Sequence, residues 1–171
     1  SGSTEISDFY TGPDSIIVVK TSTGEVLNKK TQNMTDTTSL TALSAVTSSD
    51  MVSGRTYKIS TTADLEALAT IVNGGKTCYG GTFVMSNDID LSSIANWTAI
   101  GNSSTRFSGT FDGNGYEISG LSIDSTSRYQ GLFGLANGAT IKNLGLTGVV
   151  VTSTGSQVGA LVGFANNSTI Q

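Results

Sequence analysis

The phrase GLFGLANGATIKNLGL (131–146) returns as ALVGFANNSTIQ (160–171), and this repetition limits what the chain can fold into more than any other feature. Gly134 falls on Gly163, Asn137 on Asn166, Thr140 on Thr169 and Ile141 on Ile170, a spacing of 29 residues. Upstream, NGYEISGLSI (114–123) aligns with NGATIKNLGL (137–146) at a spacing of 23, which sets Ile118 against Ile141, Leu121 against Leu144 and Ile123 against Leu146. A period in the twenties, with apolar residues in register and variable polar spacers, marks a stack of repeats, because one repeat cannot bury its own inner face. Strands stacked about 4.8 Å apart would align their inward residues in ladders. Ile118, Ile141 and Ile170 are expected to form one apolar column, and Leu121 and Leu144 to begin a second. Glycine and asparagine mark the corners, where positive φ is often required.

Composition agrees with a β-rich chain of many turns. Only 13% of the 171 residues are charged, against about 25% in an average globular chain, while 37% are hydrophobic. Serine and threonine fill 49 positions, and there are 21 glycines but 1 proline. Small polar residues tolerant of strands and turns therefore cover the surface. The net charge of −4 and the absence of any Lys/Arg cluster argue against a nucleic-acid partner. Cys78 is the single cysteine, so neither an internal disulfide nor a multi-cysteine zinc site can form. No run of about 18 apolar residues is present, so no membrane insertion is expected in this fragment. The opening SGS reads as a cloning remnant, and a signal removed with the native start would leave no trace.

Residues 1–14 read as a flexible polar start, and 15–79 as an N-terminal capping region. SIIVVKTSTGEVL (15–27) predicts a hairpin with its turn at Ser22 to Gly24. LTALSAVTSSDM (40–51) is ambiguous, with Leu40, Leu43 and Val46 near helical spacing. TTADLEALATIVNGG (61–75) predicts a short amphipathic helix with Leu65, Leu68, Ala69 and Val72 on one face. Thr62 suits its N-cap, Gly74 its end, and Asp64 and Glu66 its first turn. From Gly80 to Gln171, short alternating runs bounded by Gly or Asn predict strands of about three or four coils. The chain stops inside a repeat, which suggests truncation from a longer protein and an open coil face.

DIDLSSIANWTAIG (88–101), FSGTFDGNGYEISGLSI (107–123) and GLFGLANGATIKNLGL (131–146) together resemble the GLUG-repeat proteins of bacteria. Similar repeats occur in filamentous-haemagglutinin-like adhesins and beside IgA-specific metalloprotease domains. The resemblance runs from about Thr61 to Gln171. It implies a mainly β fold, a right-handed parallel β-helix (solenoid), on a secreted or cell-surface protein with adhesion, display or stalk roles. The chain has 0 histidines, so it holds no H-E-x-x-H zinc motif.

Candidate site residues each carry two readings. Asp88 and Asp90 share one side of a strand, and with Asp112 they could form the acidic pair of a carbohydrate-active β-helix enzyme. As turn residues bonding backbone amides they need no such role, and this plainer reading weighs more. Asn87, Asp88 and Asp90 alternate as oxygen donors, but no EF-hand or calcium nonapeptide is present, so no metal and no cofactor are expected. Trp97, Tyr116 and Tyr129 could stack on sugar rings; packing at a coil edge is the stronger reading for Trp97. Thr152 to Thr154 makes one Thr-x-Thr unit of the kind arrayed on ice-binding surfaces, without a counterpart a repeat earlier. The sequons at Asn33, Asn96, Asn102, Asn166 and Asn167 are expected by chance in so Ser/Thr-rich a chain.

The leading expectation is a non-enzymatic surface module, an adhesin segment or rigid spacer. Its partner would be a host glycan or surface protein, met by the inserts SIANW, GNSSTR, DSTSRYQ and TGVVVTSTGSQ, which are free of ladder constraints. The alternatives are a carbohydrate-active enzyme or carbohydrate-binding module, and a filament subunit self-associating through the open C-terminal coil.

Overall fold

A computed structural model describes the backbone of residues 5–8, 16–20 and 26–30, and residues 35–49, 51 and 53–171. It divides into two compact units, Ser1–Asp36 and Thr37–Gln171.

The first unit holds three antiparallel strands, β1 (Glu5–Asp8), β2 (Ile16–Lys20) and β3 (Val26–Lys30), in that order. β2 and β3 pair from Ile16↔Lys30 to Lys20↔Val26, the hairpin that the sequence predicts. Its turn at Ser22 to Gly24 lies outside the described residues. β1 occupies part of the stretch expected to be a loose polar start.

The second unit begins with a single 3-10 turn at Leu43–Ala45, in the ambiguous 40–51 segment. β4 (Thr56–Ile59) follows, and then α1 (Thr62–Asn73). Thr61, one residue before the expected Thr62, is the N-cap, because Asp64 three positions on completes a capping box with it. Leu65, Leu68 and Val72 are fully buried, as the helical spacing requires. α1 packs on the 3-10 turn and on β4, which is the edge strand of its sheet.

The rest of the chain is short strands: β5 (Thr82–Met85), β6 (Ile89–Asp90), β7 (Thr110–Asp112), β8 (Glu117–Ser119), β9 (Ser122–Ser125), β10 (Phe133–Asn137), β11 (Thr140–Lys142), β12 (Gly145–Thr147), β13 (Val150–Ser153), β14 (Val162–Asn166) and β15 (Thr169–Ile170). The fold is mainly β, and every strand pairing in this unit is parallel. The sheets run β15-β11-β7-β5-β4, β12-β8-β6, β13-β9 and β10-β14. From β7 onward the chain visits these four sheets in a fixed cyclic order and returns to each one strand further along. Parallel pairing begins with the bridge of Ala42 to Lys58 in β4, inside the stretch assigned to the cap.

Two side-chain columns run the length of the five-stranded sheet. Tyr57, Phe83, Phe111, Ile141 and Ile170 align and point inward; all but Ile170 are buried. The preceding residue in every strand is threonine: Thr56, Thr82, Thr110, Thr140 and Thr169 stand in register. Inside, the rings of Tyr57, Phe83, Phe107 and Phe133 follow one another at centroid distances of 5.8, 5.8 and 5.1 Å, and Phe111 meets Phe133 edge-on at 5.3 Å. Such pairs add about 0.5–1.5 kcal/mol each beyond the area they bury.

The alignment of Ile141 with Ile170 forms as expected. The placement of Ile118 in that column does not. Ile118 aligns with Ile89 and Leu146 in a different sheet, and Phe111 takes the position beside Ile141. Likewise Leu121 precedes β9, which pairs with β13, whereas Leu144 leads into β12 beside β8. The spacing of 23 matches two Asn-Gly turns that sit at different corners. Asn114 and Gly115, with φ of 54° and 82°, lead into β8, and Asn137-Gly138 leads into β11.

Candidate functional site

The three carboxylates singled out in the sequence are held by local structure. Asp88 Oδ1 accepts the Glu117 N–H at 2.9 Å, stitching one strand repeat to the next. Asp90 accepts the Ser92 N–H at 2.8 Å and the Ser92 hydroxyl at 2.9 Å, and these bonds hold its carboxyl below the usual range. Asp112 is nearly buried. Its Oδ1 accepts the Asn114 N–H and the Asn143 side-chain amide, each at 2.9 Å, and its Oδ2 lies 3.3 Å from Lys142 Nζ. Asp90 lies in β6 and Asp112 in β7, in separate sheets. Each of the three accepts a backbone N–H, as the plainer reading as turn residues requires. Among the described residues no three of His, Cys, Asp and Glu are grouped closely enough to hold a metal ion.

A fourth acid, which the sequence marks only as a first-turn charge, is the most deeply placed. Asp64 is fully buried; burial alone would raise its pKa. Hydrogen bonds from the Ser44 hydroxyl, the Ser44 N–H at 2.8 Å, the Ser60 N–H at 2.9 Å and the Ser60 hydroxyl outweigh that and hold it at about 2. The Thr61 N–H and hydroxyl, each at 3.0 Å, add to the shell. Its role is to tie the 3-10 turn to the start of α1.

The inserts behave differently. SIANW (93–97), GNSSTR (101–106) and DSTSRYQ (124–130) converge on one groove of about 640 Å³. Its walls include Asn96, Thr98, Asn102, Ser103, Ser125 to Gln130 and, from the end of α1, Asn73. Stacking brings them together. Asn96 accepts the Asp124 N–H and donates to the Asp124 carbonyl, each at 2.9 Å, so the first insert is clipped to the third. Asn73 donates to the Ala99 carbonyl and accepts from the Gly101 N–H, each at 3.0 Å, which ties the helix end to the second. Asn102 folds its own loop by accepting from Ser104 and Thr105.

Trp97 forms part of the groove wall, but it is 3% exposed and its Nε1 donates to the Leu132 carbonyl at 3.1 Å. Its ring is therefore a packing element, and Tyr129 is the aromatic residue there that stays partly exposed. Tyr116 is half-buried against the core. The fourth insert reaches the site indirectly. Gln157 Oε1 accepts from Arg128 Nε at 3.0 Å, while the Arg128 guanidinium lies 4.9 Å over the Tyr129 ring. Among the described residues no acidic residue lines the groove, and its one formal charge is Arg128. A second groove of about 370 Å³ shares Asn73, Asn96, Trp97 and Thr98 with it and extends along α1 to Glu66.

Cys78 is buried, and burial pushes its thiol up to about 12, the opposite of what a nucleophile needs. Among the described residues no helix is long and apolar enough to cross a membrane.

Two curated proteins resemble the chain over much of its length. A protein of Evansella cellulosilytica called a Gly-rich membrane protein is 36% identical over 116 residues, covering 63% of this chain. A protein of Haloquadratum walsbyi named Halomucin is 32% identical over 141 residues, covering 75%. The chain spans 13% of the first relative and 2% of the second, so it matches a small part of much longer proteins. No family model and no solved structure matches.

Proposed function

We propose that this chain is a non-catalytic recognition module of a cell-surface or secreted microbial protein, built as a right-handed parallel β-helix of the GLUG-repeat kind. The return of the chain to each parallel sheet in cyclic order supports the β-helix reading. The name of the Evansella relative, a membrane protein, supports a surface location.

The observation that carries the recognition role is the convergence of three variable inserts on one polar groove. Ladder positions are constrained by stacking, whereas the loops can change without unstacking the core, and loops on a rigid frame are well suited to binding. Adhesion is thus favoured over a passive spacer, and the acids sought for hydrolysis are engaged elsewhere.

Probing a glycan and extracellular-matrix array with the chain tests this. A companion variant carrying Ser127→Trp fills the groove. Selective capture by the native chain and loss in the variant is the expected result; no capture by either would favour a spacer.

A second reading has its own observation. Val150, Val158, Phe164 and Ile170, on or beside β13 to β15, are 39–59% exposed, which suits self-association along that edge. Concentration-dependent oligomers in sedimentation would support it.

A further inference from the structure

We infer that the groove takes an acidic sugar, a uronate-bearing glycan, and that Arg128 is the residue that reads its carboxylate. This rests on the recognition role proposed above and names its ligand class.

The first argument is charge. The chain carries a net charge of −4, yet among the described residues the groove is lined by no Asp or Glu and by one arginine. A cation without a carboxylate partner on an acidic protein attracts an anion to that place and nowhere else along the same wall. Among the described residues no carboxylate is paired with Arg128, in contrast to Lys142, which is held by Asp112.

The second argument is preorganisation. Arg128 is exposed, and a free arginine would lose much rotamer entropy on binding. Here Nε is fixed by Gln157 and the guanidinium plane is seated over Tyr129. Tyr129 is itself placed by its N–H on the Ser156 carbonyl at 3.1 Å and by the edge of Phe164, 6.0 Å away. Among the described residues neither terminal nitrogen, Nη1 or Nη2, has a protein partner, and these form the fork that meets a planar carboxylate in two parallel bonds.

The third argument is the remainder of the wall. Thr98, Ser103, Ser125, Thr126 and Ser127, each with a hydroxyl, and the Gln130 amide line the same groove. Neutral donors and acceptors at that density match the hydroxyls of a sugar ring. A bare phosphate or sulfate would leave most of them unused, and a volume of about 640 Å³ is far larger than such an ion needs.

The test titrates the chain with oligomers of galacturonate, glucuronate and mannuronate by calorimetry, beside neutral oligomers of the same length and inorganic sulfate. At least one uronate oligomer is expected to bind, and Arg128→Gln to weaken it by about tenfold or more. Arg128→Lys should recover only part of the loss, because it restores the charge without the fork. Circular dichroism confirms that both variants keep the fold. Equal binding of the neutral oligomers, equal binding of sulfate, unchanged affinity in Arg128→Gln, or no uronate binding would each overturn the inference. A neutral ligand captured on the array and lost on filling the groove would leave the recognition role standing while this inference fell.

Discussion

Arg128 and Gln157 face each other across adjacent strand repeats, and their single hydrogen bond of 3.0 Å connects a groove residue to the following repeat. The Arg128 side chain is thereby steadied by the repeat beyond it. Gln157→Ala should cost under about 1 kcal/mol, as expected for a half-buried surface side chain that gives up one hydrogen bond. It should weaken ligand binding measurably by freeing Arg128, and calorimetry beside a urea melt reads both.

The inward column of the five-stranded sheet predicts a graded cost of truncation. Phe111→Ala, at a fully buried position flanked by Phe83 and Ile141, should cost about 3–5 kcal/mol. Ile170→Ala, in the same column but 45% exposed, should cost under about 1.5 kcal/mol. Equal costs in urea unfolding would contradict the alignment.

Much of this architecture is legible in the amino-acid sequence, and the exceptions have physical causes. The α1 face of Leu65, Leu68 and Val72 follows from helical periodicity, and the spacing of 29 aligns Ile141 with Ile170 as the fold does. The spacing of 23 misplaces Ile118 because Asn-Gly encodes a turn without encoding which corner it turns. The threonine column escapes a search by period because its members recur at intervals from 26 to 30 residues, so no fixed spacing aligns Thr56, Thr82, Thr110, Thr140 and Thr169. Its signal lies in the words TYKI, TFVM, TFDG, TIKN and TIQ, each a threonine before a large apolar residue. The inserts are visible as variable loops. Their meeting in one groove depends on the stacking register, which no single loop contains.

Asp64 predicts an acid limit to stability. Its folded pKa of about 2 lies below the ordinary value of 3.8, so the ionised form stabilises the fold above about pH 4. That contribution, about 2 kcal/mol, is lost as pH falls through 4 toward 2. Asp64→Asn should flatten the dependence in that window and lower stability at pH 7 by about 1–3 kcal/mol, since the amide cannot accept all the bonds that the carboxylate accepts. Chemical unfolding across pH 2–7 provides the check.

Cys78 should be inert in the native protein. With its thiol pushed up to about 12, thiolate is scarcer at pH 8 than in the unfolded chain by about a thousandfold. Alkylation by iodoacetamide should therefore be negligible until denaturant is added; fast native labelling would contradict the buried placement.

A close backbone approach makes Gly134 intolerant of a side chain. A Cβ there would run into the carbonyls of Gly101 and Tyr129, both of which belong to the groove inserts. Gly134→Ala should cost about 1–3 kcal/mol in urea unfolding. It should also disturb ligand binding, because it displaces the two segments that carry Gly101 and Tyr129.

The most direct test of the central claim is a hydrogen–deuterium exchange footprint of the chain with its captured ligand. Protection confined to residues 96–103 and 125–130 is the predicted result. Protection along the threonine column or the exposed edge at 150–171, with the groove unchanged, would contradict it.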